Sequence, residues 1–192
     1  SGKVVSILGE NGAGKSTLLK ILYGDYKPTS GSVLIDGREA AFRSPYEALQ
    51  NGVSVIYQER QLVQNLTVAD NVFLGHPPQK LGFIQTRDQY QATQAIIEEF
   101  GLPFKAEDRV WKLSVAHQQM VEIMKACNHR IDIIAFDEPT SSLTDTETRK
   151  LFEIIRKLKA AGKIVLYVSH RLREIFEICD EVVVLKDGQL VG

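Results

Sequence analysis

Apolar residues follow two rhythms along this chain. Mostly apolar runs at residues 4–8, 53–57, 131–136, 163–169 and 181–186 have the length and apolar content of buried strands. Between them, apolar positions recur every three or four residues. Leu18, Leu19, Ile21 and Leu22 mark a helix over 16–23; Leu151, Ile154, Ile155 and Leu158 mark a second; Leu172, Ile175, Phe176 and Cys179 mark a third. Strands alternating with helices predict an α/β fold, a doubly wound and mostly parallel sheet with right-handed crossovers. Residues 131–136 are the most apolar segment, as a central strand covered on both faces requires.

Polar punctuation supplies the boundaries. Gly24 and Gly162 sit where helix ends call for positive φ, and Pro28-Thr29-Ser30-Gly31 turns the chain. Residues 33–35 followed by Asp36-Gly37 predict a strand ending in a hairpin turn, hence a small antiparallel piece. Ser44-Pro45-Tyr46-Glu47 combines a cap, a proline at the first helical position and a capping-box Glu, which predicts a short helix to about Asn51. From 67 to 128 there are no strand runs but repeated helix starts: Thr67 with Asp70, Thr86 with Gln89, and Ser114 before a long apolar-periodic segment. This stretch is expected to be an inserted helical subdomain. Thr144 with Glu147 forms a further capping box, and Asp187-Gly188 opens a hairpin whose second arm is cut off at Gly192. The first strand begins almost at Ser1, so the domain is expected to be trimmed at both ends.

Chemistry gathers where strands end. GENGAGKST, Gly9 to Thr17, fits G-x-x-x-x-G-K-[ST] between the first strand and the first helix, the context such a loop requires. Its glycines let the backbone wrap a phosphate, successive N–H groups and the helix N-terminus point at it, and Lys15 adds a full charge. Ser16 is placed to ligate Mg²⁺. Three other strands end in Gln58, Asp137-Glu138 and His170, and in one parallel sheet these ends share an edge with the loop. Asp137 is placed to support a Mg²⁺ shell through water, and Glu138 points to where an attacking water would sit. Alone, the acid pair could be a loop before Pro139 and His170 a surface histidine; beside a phosphate loop both become candidates for hydrolytic chemistry.

Composition narrows the classes. The chain has 192 residues, 44% hydrophobic and 24% charged, with a net charge of −1. Length and composition fit one substantial domain with its own core. Acids and bases are interspersed, so no electrostatic footprint for nucleic acid is present. Cys127 and Cys179 lie far apart, are expected to be small buried apolar residues, and with no secretory leader favour a reducing, cytosolic setting. No apolar window reaches the length of a membrane span.

GENGAGKST, Gln58, LSVAHQQ at 113–119, AFDEPTSSLTD at 135–145 and Ser169-His170 together resemble the motif series of ABC-type ATPases, in order and approximate spacing along the whole chain. More narrowly, DNVFLGHPPQKLGFI, QQMVEIMKA, PTSSLTDTETRKLFEIIRKLKAAGK and SHRLREIFEICDEVVVLKDG look like the ATP-binding subunits of bacterial monosaccharide importers, where two such domains are commonly fused; this segment is most similar to the first. The resemblance implies a P-loop NTPase fold and hydrolysis of ATP with Mg²⁺. Gly9, Asn11, Gly12, Ala13, Gly14, Lys15, Ser16 and Thr17 would hold the phosphates. Ser16 and Gln58 would ligate Mg²⁺ with Asp137 supporting. Glu138 would be the general base, and His170 would contact the γ-phosphate. Ser114 would bind the γ-phosphate of ATP held by an opposing nucleotide-binding domain. The implied partners are that second domain, membrane-spanning permease subunits contacting the region after Gln58 to about Phe83, and indirectly a periplasmic or extracellular sugar-binding protein, with no nucleic acid. The implied location is the cytoplasmic face of the cell membrane.

The chain departs from the family pattern in three places. The signature LSGGQ is here LSVAH, with Val115 and Ala116 in place of two glycines and His117 in place of Gln. An Asp of the family's D-loop is replaced by Thr144. The aromatic residue that stacks on adenine lies upstream of the family's phosphate loop, beyond Ser1. Two other functions compete. A soluble ABC-type ATPase of DNA repair or translation would carry a long coiled coil or a basic stripe, and neither is present. A non-hydrolysing regulatory domain would have no need of the intact Glu138 and His170.

Overall fold

The computed structural model describes residues 2–57, 61–80, 82–128 and 130–192. The chain divides into two compact units, the first comprising Ser1–Gln58, His129–Ser141 and Phe152–Gly192, the second Glu59–Asn128 and Ser142–Leu151.

The first unit is built on a six-stranded sheet. In chain order it contains β1 (Val4–Leu8), α1 (Lys15–Leu22), the hairpin β2 (Leu34–Ile35) and β3 (Arg38–Glu39), α2 (Pro45–Gln50) and β4 (Val53–Ile56). After the second unit's β5 (Gln79–Lys80), β6 (Phe83–Ile84), α3 (Val68–Val72), α4 (Thr86–Phe100) and α5 (Val115–Cys127), it resumes with β7 (Ile133–Asp137). Helix α6 (Asp145–Ala160), β8 (Ile164–Val168), α7 (Leu172–Ile178), β9 (Glu181–Lys186) and β10 (Gln189–Leu190) complete the chain. The sheet order is β10-β9-β1-β8-β7-β4. The strands from β9 to β4 pair in parallel, with Val5 beside Leu166 and Phe136 beside Tyr167, and only β10 runs antiparallel.

The order puts the loop after β1, His170 after β8, and Asp137-Glu138 after β7 at neighbouring strand ends, as the apolar runs imply. The core explains why they stay there. Ile7, Leu19, Val55, Ala135 and Val168 form one buried cluster that seats α1 on the sheet. Burying its Ile, Leu and Val side chains contributes about 1.5–3 kcal/mol each. The Asp-Gly turns of the β2–β3 and β9–β10 hairpins have positive φ at each position, Asp36 and Gly37, then Asp187 and Gly188, the type I′ geometry.

Three local expectations change. The carboxylate of Glu47 accepts from the N–H of Arg43 at 2.8 Å, not from its cap Ser44, whose hydroxyl does accept from Glu47 N–H at 3.2 Å. Helix α4 starts at Thr86 itself, after Gln85, with no side-chain cap. Gln89 is instead buried and donates to Asp70 at 3.0 Å, so its amide braces α4 against α3. On α7 the buried apolar residues are Ile175 and Ile178, while Phe176 is 82% exposed and Cys179 only half-buried.

The second unit packs α3 against α4 and α5 around Val68, Val72, Ile97, Met120 and Ile123. Thr67 and Asp70 form the expected reciprocal capping box. Asn71 is fully buried and satisfied: it accepts from Val63 N–H and donates to the carbonyls of Val63 and Thr67. The 67–128 stretch does contain strands, the small hairpin β5–β6. Its two-residue arms expose Phe83 and Ile84, so no buried run marks them in the sequence.

Candidate functional site

The loop after β1 owes its path to two different uses of glycine. Gly9 is demanded by packing: a Cβ there would come within 2.5 Å of the Leu185 carbonyl oxygen and 2.9 Å of the Ala13 methyl. Gly14 is demanded by conformation, with φ +99° at the start of α1. No side chain caps α1. Its first N–H groups are therefore left facing the loop, the arrangement that attracts an anion. Lys15 is only 7% exposed and donates to the carbonyls of Gly9 at 2.7 Å and Glu10 at 3.0 Å, so its charge is held inside the loop.

The end of β7 meets this loop. Ser16 Oγ donates to Asp137 Oδ2 at 3.3 Å. Burial raises the Asp137 carboxyl above its ordinary pKa of 3.8; the Ser16 hydrogen bond and the charges of Lys15 and Lys20 oppose the rise, while the charge of Glu138 adds to it. Glu138 follows with φ +47°, uncommon for a residue with a side chain. Its N–H donates to the Val168 carbonyl at 2.9 Å, and its Oε1 lies 3.2 Å from His170 Nδ1. A cavity of about 420 Å³ is lined by Asn11, Gly12, Gly14, Lys15, Ser16 and Thr17 from the loop and by Asp137 and Glu138 from β7.

The sequence-predicted residues thus separate into groups. The lining residues converge on one space. Gly9 and the buried Ala13 shape the loop from behind, and His170, 64% exposed at its side chain, joins through Glu138. Gln58 lies outside the described residues. Tyr57, just before it, donates from its hydroxyl to Asp25 at 2.9 Å and sets its ring edge against Tyr23; burial, then the Asp25 bond, holds its phenol well above the ordinary range. Ser114 is exposed at the start of α5 in the second unit, where its Oγ accepts from His117 N–H at 3.2 Å.

Mg²⁺ prefers hard oxygen donors and keeps several from water or phosphate. The Ser16 and Asp137 oxygens, 3.3 Å apart and both lining the cavity, fit that ion. Among the described residues no cluster of three or more His, Cys, Asp or Glu competes as a metal site. The sequence gives no direct sign of the hydroxyl network behind Glu138. Glu174 lies off the apolar stripe read for α7, and only the structure shows that it is buried and met by the hydroxyls of Thr140, Tyr167 and Ser169.

The fold is that of a P-loop NTPase of the ATP-binding-cassette type. An ATP-binding cassette of an ABC transporter in its ADP conformation superposes with a TM-score of 0.85 at 26% identity, over 100% of this chain and 79% of that one. A dimeric post-hydrolysis cassette bound to ADP and phosphate gives 0.84 at 28% identity, over 100% and 84%. By sequence, the chain is 48% identical to the ribose import ATP-binding protein RbsA of Yersinia pestis, over 100% of this chain and 38% of that protein. It is 49% identical to the galactose/methyl galactoside import ATP-binding protein MglA of Yersinia pestis (97% and 37%). It is likewise 49% identical to the arabinose import ATP-binding protein AraG of Mannheimia succiniciproducens (99% and 38%). The chain therefore spans well under half the length of these curated relatives. Residues 1–141 match the ABC transporter family model, a span that holds both the phosphate loop and the Asp137-Glu138 strand end, and this chain belongs to that family.

Proposed function

We propose that this chain is the ATP-binding and ATP-hydrolysing part of an importer that carries a simple sugar across a membrane. The observation that carries the reading is the convergence of the Lys15 loop, the Ser16–Asp137 pair and Glu138, itself in contact with His170, on one cavity. In this reading the loop N–H groups from Asn11 to Thr17, with Lys15, hold the triphosphate. Ser16 and Gln58 hold Mg²⁺, with Asp137 supporting. When bound, that ion neutralises charge on the β- and γ-phosphates. Glu138 accepts the proton of the attacking water, and His170 fixes the carboxylate and contacts the γ-phosphate. Catalysis is alignment and charge stabilisation, since a loose phosphoryl-transfer transition state needs little else.

The reading completes the cradle with Ser114 from a second nucleotide-binding domain. Permease subunits contact the region from Gln58 to about Phe83 at the cytoplasmic face, where the exposed Phe83 and Ile84 give them an apolar seat. In this reading the pore belongs to those partners; no helix among the described residues is long and apolar enough to cross a membrane. A sugar-binding protein on the other side delivers the substrate. The relatives named for ribose, galactose and arabinose set the class as a monosaccharide.

The test is uptake by vesicles holding the full-length protein with its permease, with the sugar-binding protein supplied outside. ATP and Mg²⁺ inside should drive accumulation of a monosaccharide, and chelating the metal should stop it. Turnover of ATP that is never coupled to any of the three sugars would contradict the substrate class.

A further inference from the structure

We propose that Glu174 is a positioning residue for hydrolysis: its buried carboxylate ties the end of β7 to the end of β8 and so fixes Glu138 against His170. The inference rests on the ATPase reading above. Glu174 is 7% exposed on the face of α7 that also buries Ile175 and Ile178. A charge in such a place is costly unless it is fully hydrogen-bonded. Here it is. Thr140 Oγ1 donates to Oε1 at 2.8 Å and lies 2.9 Å from Oε2; Tyr167 OH donates to Oε2 at 2.8 Å and Ser169 Oγ at 3.0 Å; Arg171 Nη1 donates to Oε1 at 3.3 Å. Thr140, Tyr167 and Ser169 are themselves no more than 2% exposed.

The sequence positions of these donors give the network its meaning. Thr140 is the second residue after Glu138, and Ser169 immediately precedes His170. Ser169 Oγ also accepts from Arg171 N–H at 3.0 Å, so the turn that presents His170 is closed on both sides by the same hydroxyl. On the other strand, Glu138 keeps φ +47°. A conformation that side chains rarely adopt persists only where its surroundings fix it, and the anchored Thr140 is part of those surroundings. Both ends of the 3.2 Å Glu138–His170 contact are therefore held from behind by one carboxylate. Glu174 does not line the cavity, so it acts on the reaction only through the pair it holds.

The experiment uses the full-length protein with its membrane partners and reads kcat, KM for ATP, nucleotide affinity and thermal stability. The variants are Glu174→Gln, Thr140→Val and Thr140→Ser, the first two also in a His170→Ala background. Misplacing a catalytic pair by a fraction of an ångström should lower kcat about tenfold or more in Glu174→Gln and Thr140→Val, with KM within about twofold. Thr140→Ser, which keeps the hydroxyl, should recover turnover. On His170→Ala the further loss should shrink to about twofold or less, because residues that act through one contact are not additive. Unchanged kcat in folded Thr140→Val, or a full independent loss on the His170→Ala background, overturns the proposal; if Glu174→Gln does not fold, the Thr140 variants decide alone. A wild-type protein that binds ATP but never hydrolyses it overturns the ATPase reading and this proposal together, whereas normal wild-type turnover with a silent Thr140→Val overturns this proposal only.

Discussion

Helices α1 and α5 both begin at a point proposed to meet phosphate, and they begin differently. Before α1 stands Gly14 at φ +99° with no side-chain cap, and the first side chain of the helix is the buried Lys15. Before α5 stands Ser114 in extended backbone, its Oγ engaged by the N–H of His117. Val115, 41% exposed, and the buried Ala116 follow where a phosphate-binding turn would use glycine. The first start leaves its donors open for an anion, while the second satisfies one of its own. Each makes sense of the chain: α1 can hold nucleotide by itself, whereas Ser114 retains one O–H to offer and can only add a contact to nucleotide held elsewhere.

The contrast breaks or sharpens at particular residues. Lys15→Ala should abolish turnover and weaken ATP binding about a hundredfold or more, since hydrogen bonds to charged groups are worth about 1.5–3 kcal/mol each. A fluorescent-nucleotide titration checks it, and undiminished affinity would remove α1 from the site. Ser114→Ala should leave that titration unchanged in the separated chain and lower turnover of the paired domains about tenfold. The same change should cost about 1 kcal/mol of stability through the lost cap, measurable by denaturant unfolding. Loss of affinity in the separated chain would mean that the two helix starts are not as different as described. The smallest effect belongs to Asp137. Because burial raises its pKa, the native state holds that proton more tightly than the unfolded state, and stability falls as pH rises from 3.8 through the native value. Asp137→Asn should therefore raise Tm at pH 7 by about 2 °C or less, with no gain at pH 3, as thermal unfolding at the two pH values would show.

Most of the site is legible in the sequence because each piece has a local signature. The runs 4–8, 131–136 and 163–169 are buried strands, and a parallel sheet obliges their polar ends to meet. The Thr67–Asp70 and Thr144–Glu147 boxes and both Asp-Gly turns are likewise local and appear as read. What the sequence hides is non-local. Gln89 looks like a capping partner for Thr86 until Asp70, from another helix, claims its amide. The β5–β6 hairpin has arms too short and too exposed to show a strand period. Glu174 reads as a surface acid, and only the sheet brings Thr140, Tyr167 and Ser169 to it.

The most direct test of the strand-end site is to measure ATP binding and ATP turnover on one preparation of the Glu138→Gln protein in its full-length complex. The amide cannot accept the water's proton but fills the same space. Affinity should stay within about twofold of wild type while turnover falls about 10²–10⁴-fold. Turnover equal to wild type at equal affinity would contradict the account, because the carboxylate held at the end of β7 would then have no part in the reaction.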